Sequence, residues 1–157
     1  EVVLWESMAC TLYLARHHGK GDGSDLAPAD PHEDAEALRW SFWTVNELEA
    51  DALTVLMHRL AMPPEQRKPD LADAAEKRLK VPLRVLEQHL QRQAERGQGH
   101  LAAERFTVAD LCVASVMGWV KPARALLEAH PATHAWLARC LDRPAQQAMR
   151  ALARQQH

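Results

Sequence analysis

The sequence has 157 residues, of which 47% are hydrophobic and 25% are charged. That length and balance are typical of a folded domain with its own hydrophobic core, and they exclude a disordered chain. The formal net charge is −2 at pH 7, and acidic and basic residues are interleaved along the chain. This excludes a protein that binds nucleic acid through clustered Lys and Arg.

The cysteines and apolar runs indicate the compartment. Cys10, Cys112 and Cys140 stand among apolar neighbours without a CxxC pair, so we expect reduced thiols and a cytoplasmic location. The longest apolar run, residues 111–120, is about half the length that spans a bilayer, so we expect no membrane contact. The chain starts with Glu1 rather than Met. We therefore expect it to be a fragment of a longer protein.

The first 31 residues predict a strand, a helix and a linker. Residues 2–5 form a short apolar run that is typical of a strand. Ser7 is the expected N-cap of the helix, because its hydroxyl can accept a hydrogen bond from a free N–H of the first turn. Gly19 ends that helix. Residues 19–31 are rich in turn formers and predict a linker, since they match neither a phosphate loop nor a calcium loop.

A long helix is predicted from residue 30 to residue 60. Asp30 caps it, Pro31 suits the first helical position, and Glu33 completes a capping box. Apolar residues three or four positions apart predict its buried stripe, which contains Ala35, Leu38, Phe42, Val45, Ala52, Leu56 and Leu60. Glu49 either joins this face or lies in solvent because the stripe rotates toward Leu48, and we favour the second arrangement.

The next predicted helix begins at Asp70 and ends at Gly97. Its apolar stripe has helical spacing and contains Leu71, Ala75, Leu79, Leu83, Leu86 and Leu90. Pro82 lies inside this pattern. We expect a kink there, because proline removes one backbone hydrogen bond from the helix.

The remaining helices include the most apolar segment of the chain. Thr107 and Asp110 form a capping box ahead of residues 108–120, which are apolar almost all round. Such a helix must be buried on every side, so we expect it at the centre of a helical bundle. Shorter helices are predicted near residues 123–129 and after Pro131 and Pro144.

Three segments resemble the glutathione S-transferase family, and they occur in the family's order. WESMACTLYLA resembles the strand, turn and helix that end the family's thioredoxin-like domain, with Cys10 where the family pattern has isoleucine. RFTVADLCVASVMGWV resembles the family's capped buried helix, and HPATHAWLARCLDRPA resembles the end of its helical domain. The resemblance implies an all-α fold, the C-terminal helical bundle of the family, preceded by a short β-strand and helix. It implies a thioredoxin-like remnant at residues 1–18, a linker at 19–31 and the helical domain at 32–157.

The resemblance also implies an enzyme. The full protein is expected to be a homodimeric glutathione S-transferase that conjugates the thiolate of glutathione, its co-substrate, to a small hydrophobic electrophile. Glu6 and Ser7 match the family's acidic–serine pair, which binds the γ-glutamyl end of glutathione. A hydroxyl and free N–H groups at a helix start suit a carboxylate, and Glu6 suits an ammonium group. The family's catalytic Tyr, Ser or Cys precedes the matched segment, so we expect no catalytic residue and no activity in this chain alone. Tyr13 is not that tyrosine.

Four further residues are candidates for the pocket that holds the electrophile. The family uses the helix at residues 30–60 to line this pocket, which makes Asn46 and Glu49 candidates. Trp43 and Trp119 could form a wall of the same pocket, although tryptophans at such positions more often pack in a core.

Metal and thiol chemistry are less favoured. His130 and His134 are four residues apart, but Pro131 places His130 at a helix cap, so the two need not share a face. We expect no metal site. Cys10 lies near a helix start, where thiols can be reactive, yet its apolar neighbours favour packing or a subunit interface.

Two other functions stay open. Domains that resemble glutathione S-transferases also act as non-catalytic interaction or assembly modules. A free-standing helical bundle is the third possibility. It would leave the apolar faces of residues 2–5 and 8–14 exposed, so we do not expect it.

Overall fold

A computed structural model describes residues 2–19 and 26–155. Its regular elements in this part of the chain are all helical, as the all-α prediction requires. The α-helices are α1 (Ser7–His18), α2 (Pro31–Trp43), α3 (Glu49–Leu56), α4 (Pro69–Glu95), α5 (Val108–Met117), α6 (Arg124–Glu128), α7 (Pro131–Leu141) and α8 (Pro144–Gln155). None of these helices is long and apolar enough to cross a membrane. The predicted linker at residues 19–31 is described only in part, because residues 20–25 lie outside the described residues.

The predicted strand at residues 2–5 does not form. These residues have no regular secondary structure, and the described part of the chain contains no strand with which they could pair. A strand requires a neighbour that accepts and donates its backbone hydrogen bonds. The side chains stay in solvent, and Trp5 is 77% exposed, which agrees with the exposure expected for this apolar run.

The helix predicted at residues 30–60 is one helical stretch with two π-helical turns. Asp30 caps it by accepting hydrogen bonds from the N–H groups of His32 and Glu33, at 2.8 and 2.9 Å. The Glu33 carboxylate reaches the N–H of Ala29 at 2.9 Å, one residue before the position that a capping box uses. The π-helical turns follow α2 and α3, at Thr44–Leu48 and Met57–Ala61.

The predicted stripe of this stretch was mostly wrong, because Ala52 is the one fully buried residue of its seven and Leu60, at its end, is 59% exposed. Phe42 is 66% exposed, and Val45 is exposed as well. The buried seam instead contains Ala37, Trp40, Ser41, Thr44, Leu48, Ala52 and Val55. A π-helical turn contains an extra residue, which rotates the face that follows it. Leu48 therefore enters the core, as the favoured arrangement required, but Glu49 is half-buried rather than in solvent.

Helix α4 is the longest helix of the bundle and runs unbroken through Pro82. It ends at Glu95, and Gly97, the predicted stop, forms the turn that follows. Gly97 has a φ of 75°, and its N–H donates to Ala94 O while the N–H of Gln98 donates to Gln93 O. This pair of bonds is a Schellman motif, in which glycine adopts a left-handed conformation at little cost.

Helix α5 is the centre of the bundle, as its apolar sequence predicted. It packs against α1, α2, α3 and α7. Thr107 and Asp110 form the predicted capping box. Asp110 is fully buried, and it also accepts hydrogen bonds from the N–H of Leu101 at 3.0 Å and from Nε1–H of Trp136 at 2.9 Å.

Helix α7 obtains its N-terminal cap from α4. The Glu87 carboxylate accepts hydrogen bonds from the N–H groups of Ala132 and Thr133, at 3.0 and 2.8 Å. Burial acts to raise the pKa of the Glu87 carboxyl, but these hydrogen bonds lower it by more. The pKa therefore lies below its ordinary value of 4.5, and Glu87 joins α4 to α7 as an anion.

Removing the Glu87 carboxylate is expected to destabilise the fold. Glu87→Ala should cost about 2 to 3 kcal/mol of unfolding free energy at pH 7, because two N–H groups lose their acceptor. Glu87→Gln keeps one acceptor oxygen and should cost less. Urea unfolding of both variants measures these differences.

The stability loss caused by Glu87→Gln should depend on pH. The pKa of Glu87 is lower in the folded state than in the unfolded state. The carboxylate therefore contributes fully to the unfolding free energy above about pH 5, and this contribution is lost as the pH falls through the lowered pKa. The stability gap between the wild type and Glu87→Gln should therefore narrow below pH 4.5. Glu95→Gln, an exposed change in the same helix, is the control. A gap that stays constant down to about pH 3 would contradict this account.

Candidate functional site

The first turn of α1 is open to solvent and has no side-chain cap. Glu6 occupies the N-cap position, and its side chain makes no capping hydrogen bond. Ser7, predicted as the cap, is instead the first residue of the helix and is exposed. The first backbone hydrogen bond of the helix joins Cys10 N–H to Glu6 O, at 2.9 Å. The N–H groups of Ser7, Met8 and Ala9 therefore have no acceptor among the described residues.

Glu6 has an unfavourable backbone conformation. Its φ is 72° and its ψ is 117°, and among the described residues it is the one non-glycine residue with positive φ. These angles lie outside the main allowed regions for an L-residue, which costs on the order of 1 to 3 kcal/mol. The turn at Glu6 starts the helix at Ser7 and so explains why Ser7 does not cap it. Strain of this kind is often found at ligand sites.

A groove between α1 and α2 joins two of the predicted site residues. This α1–α2 groove has a volume of about 540 Å³, and its lining comprises Leu4, Glu6, Met8, Ala9, Leu12, Tyr13, Arg16, His17, Leu38, Ser41, Phe42, Val45 and Asn46. Glu6 lies at one end of α1, and Arg16 and His17 lie at the other. Asn46 donates from Nδ2 to Phe42 O at 2.9 Å, which leaves its amide oxygen unused by the described residues.

The other three pocket candidates do not line this groove. Trp43 packs edge-on against Trp40, with 5.2 Å between ring centroids. Trp119 lies in the short 3-10 turn that follows α5, and both Trp43 and Trp119 pack against the buried core. Glu49 is half-buried at the start of α3. Their role in a substrate pocket stays a prediction.

Sequence reasoning missed several residues of the groove. Leu38, Phe42 and Val45 were assigned to the core stripe, yet they form the α2 side of the groove. Tyr13 was treated only as part of a helix, but it lines the groove with its ring 4.5 Å from that of His17. The available signal was the surplus of apolar residues in α2, since one helix face cannot bury all of them.

Two of the three cysteines are buried, and their thiols are unsuited to nucleophilic chemistry. Burial raises the pKa of the Cys112 thiol, and it also raises that of Cys140. Both thiols therefore stay protonated at neutral pH and are poor nucleophiles. All three cysteines are free. The described residues contain no group of three His, Cys, Asp or Glu side chains that could hold a metal ion.

The geometry at α1 is suited to a small zwitterionic ligand. Uncapped N–H groups and the positive end of the helix dipole attract a carboxylate, and the Ser7 hydroxyl can donate to the same group. The Glu6 carboxylate, one residue away, can accept from an ammonium group. An amino acid or a γ-glutamyl group carries both charges on one carbon, so a single ligand could satisfy both residues.

Comparison with protein families gives one match over more than half of the chain. The model of the glutathione S-transferase C-terminal domain matches residues 50–144. The match covers the stretch from α3 through α7 and the first residue of α8. It includes the central helix α5 and its capping box, and it leaves the whole α1–α2 groove outside, since the lining lies at residues 4–46.

Solved structures with the same fold extend the likeness to α1. Glutathione S-transferase III in its apo form is 28% identical, with a TM-score of 0.80 over 96% of this chain and 68% of that one. Glutathione S-transferase-I bound with lactoylglutathione is 26% identical, with a TM-score of 0.75 over 95% of this chain and 69% of that one. A possible glutathione S-transferase from Rhodopseudomonas palustris is 26% identical, with a TM-score of 0.69 over 90% of this chain and 59% of that one.

Proposed function

The chain belongs to the glutathione S-transferase family, and on that premise we propose that it supplies the γ-glutamyl half of a glutathione site. The whole protein would join the glutathione thiolate to a small hydrophobic electrophile. The observation that carries this proposal is the uncapped first turn of α1, with Glu6 strained at φ 72° and Ser7 exposed beside it. The related transferase-I binds lactoylglutathione, which contains the same γ-glutamyl group.

Each residue of the site has a separate role in this proposal. Ser7 and the N–H groups of the first turn bind the α-carboxylate of glutathione. Glu6 accepts hydrogen bonds from the α-ammonium group, and its strained backbone keeps its side chain beside Ser7. These contacts hold the peptide and orient the thiol toward the electrophile without touching the reacting sulfur.

The proposal assigns thiol activation to a thioredoxin-like domain that precedes residue 1. Residues 1–18 would be the end of that domain, residues 19–31 the linker and residues 32–157 the helical domain. Such a chain would bind glutathione but not turn it over alone. Tyr13 is not assigned this role, because its ring packs against that of His17 within the groove.

A Ser7→Ala variant tests the site. In the protein with its thioredoxin-like domain, the KM for glutathione should rise about tenfold, because one hydrogen bond to a charged group is lost. The kcat should change little, since this contact holds substrate and transition state alike. Conjugation of 1-chloro-2,4-dinitrobenzene at varied glutathione concentration gives both constants.

Ser115→Ala is the matched control. Ser115 is also exposed, and its hydroxyl donates to Cys112 O within α5 at 2.8 Å, so its loss should leave the KM unchanged. A protein that binds no glutathione, or one in which Ser7→Ala has no effect, would overturn the proposal. The non-catalytic assembly role would then be the better account.

The α1–α2 groove supports a homodimer as the form of the protein. Phe42 is 66% exposed at the centre of an apolar surface that includes Leu38 and Val45. A two-fold axis would bring the same surface of a second copy against it. Arg16 binds Asp34 at 2.5 Å beside the groove, which provides the polar rim that such interfaces have.

Phe42→Glu tests the dimer by placing a charge at the centre of this surface. We expect sedimentation velocity to show a dimer for the wild type and a monomer for Phe42→Glu, because an unpaired buried charge opposes association. Leu152→Glu alters a similarly exposed apolar residue of α8 and should remain dimeric. A dimeric Phe42→Glu protein would show that another face forms the interface.

A further inference from the structure

A buried loop joins α4 to α5. Its residues 96–107 form neither helix nor strand, yet Leu101 is fully buried, and Ala103 and Thr107 are buried as well. Backbone N–H and C=O groups inside a protein need hydrogen-bond partners, and a loop cannot obtain them from a helical ladder. Side chains of the neighbouring helices therefore have to supply partners to this α4–α5 loop.

Two side chains of α4 hold the α4–α5 loop at Leu101. His89 Nε2 lies 2.7 Å from Leu101 O, and Gln93 Nε2 donates to the same oxygen at 3.3 Å and to His100 O at 3.1 Å. A carbonyl oxygen only accepts hydrogen bonds, so His89 is the donor and carries a proton on Nε2. The N–H of Leu101 donates to the buried carboxylate of Asp110 at 3.0 Å. Leu101 thus connects these two α4 side chains to the capping box of α5.

The surroundings of His89 oppose a second proton on its ring. The ring is half-buried and packs edge-on against the buried Trp40 of α2, with 4.8 Å between ring centroids. The guanidinium of Arg39 already lies over the Trp40 ring, 5.2 Å from its centroid, so this ring offers a second cation little attraction. Arg39 and Arg92 both repel a charged imidazole at this position. Burial acts in the same direction, because it removes water from the charged form.

Two groups act in the opposite direction. Leu101 O binds a charged imidazole more strongly than a neutral one, and Glu36 of α2 attracts it, although Glu36 is already paired with Arg39. Burial is the largest of these influences, and the pKa of His89 lies below its ordinary value of 6.5. With the loop in place, His89 is therefore neutral at pH 7. A protonated His89 is more stable in water than at this position.

The other titratable groups beside the loop have partners of their own. The Nδ1 atom of His100 lies 3.2 Å from Glu104 O. The Asp110 carboxylate uses both oxygens in the network that caps α5, and Glu87 of α4 caps α7. The response of Leu101 to pH therefore depends on His89.

We propose that His89 is a pH-sensitive latch on the α4–α5 loop. In its neutral form the ring stays between Trp40 and Leu101 O. When the ring gains a proton, it moves into water and releases Leu101 O, and Gln93 is then the α4 side chain that still holds this residue. The loop opens more readily, and the bond between Leu101 N–H and Asp110 weakens with it. The latch does not depend on the glutathione site, so either can fail without the other.

The direction of the pH dependence follows from proton binding. The closed loop binds fewer protons than the open loop, because His89 is harder to protonate when the loop is closed. The free energy that keeps the loop closed is therefore full above about pH 7, falls as the pH drops below the ordinary histidine value, and levels off below the lowered pKa.

Hydrogen exchange of the Leu101 N–H tests the latch. Between about pH 7.5 and about pH 5.5, its protection factor, corrected for the intrinsic exchange rate, should fall roughly threefold or more in the wild type. His89→Gln should abolish this fall, because glutamine is neutral at both pH values and its amide can still donate to Leu101 O. His134→Gln, a change of an exposed histidine on α7, should keep the wild-type response. A protection factor that does not fall in the wild type, or that falls equally in His89→Gln, would overturn the proposal.

An NMR titration of the wild type tests the same latch without a variant. The Cε1–H signal of His89 should titrate at lower pH than the signals of the exposed His32 and His134, and the amide signal of Leu101 should move with the same midpoint. Titration of His89 together with the exposed histidines, or a Leu101 signal that ignores it, would count against the latch even if His89→Gln failed to fold.

Discussion

The buried carboxylate of Asp110 holds together three parts of the chain that are distant in sequence. One oxygen accepts from the N–H of Leu101 at 3.0 Å and from Trp136 of α7 at 2.9 Å, and the other accepts from the N–H of Thr107 at 3.0 Å. A fully buried carboxylate is costly unless its oxygens are satisfied. Because the donors come from a loop, a helix cap and a second helix, all three must be in place together. The position of α5, against which α1, α2, α3 and α7 pack, follows from this network.

The position of α5 in turn sets the position of the candidate site. Helix α1 packs on α5 and buries Ala15 in the common core. Val108, the first residue of α5, donates its N–H to Leu26 O at 3.0 Å, and Arg16 pairs with Asp34 of α2. These contacts fix the C-terminal part of α1, and Met8 packs its first turn against the same core while Ser7 stays exposed. The strained Glu6 and the uncapped N–H groups therefore lie at the end of a rigid helix, which suits a preorganised binding site.

The helices and their starts could be predicted from sequence because caps are local. Asp30, Thr107 and Pro131 each act within a few residues of themselves, so the helix starts that they form can be recognised from the sequence without knowledge of the fold. Three features could not be predicted, because each depends on non-local contacts or rare backbone geometry. The π-helical turn at Thr44–Leu48 shifts the buried face of the helix from its start onward, so Val45 lines the groove rather than the core. The strand at residues 2–5 needed a partner strand. The positive φ of Glu6 places Glu6, rather than Ser7, at the N-cap position of α1. Two of the predicted site residues, Glu6 and Asn46, nevertheless line one groove.

The central claim is that the start of α1 is shaped for a ligand at the expense of stability. Glu6→Gly and Glu6→Ala both remove the carboxylate, but only glycine relieves the positive φ. The measurement is the unfolding free energy of both variants, together with their affinity for glutathione. The account predicts that Glu6→Gly is more stable than Glu6→Ala by about 1 kcal/mol, and that both bind glutathione more weakly than the wild type. Equal stability of the two variants, or wild-type affinity in both, would contradict it.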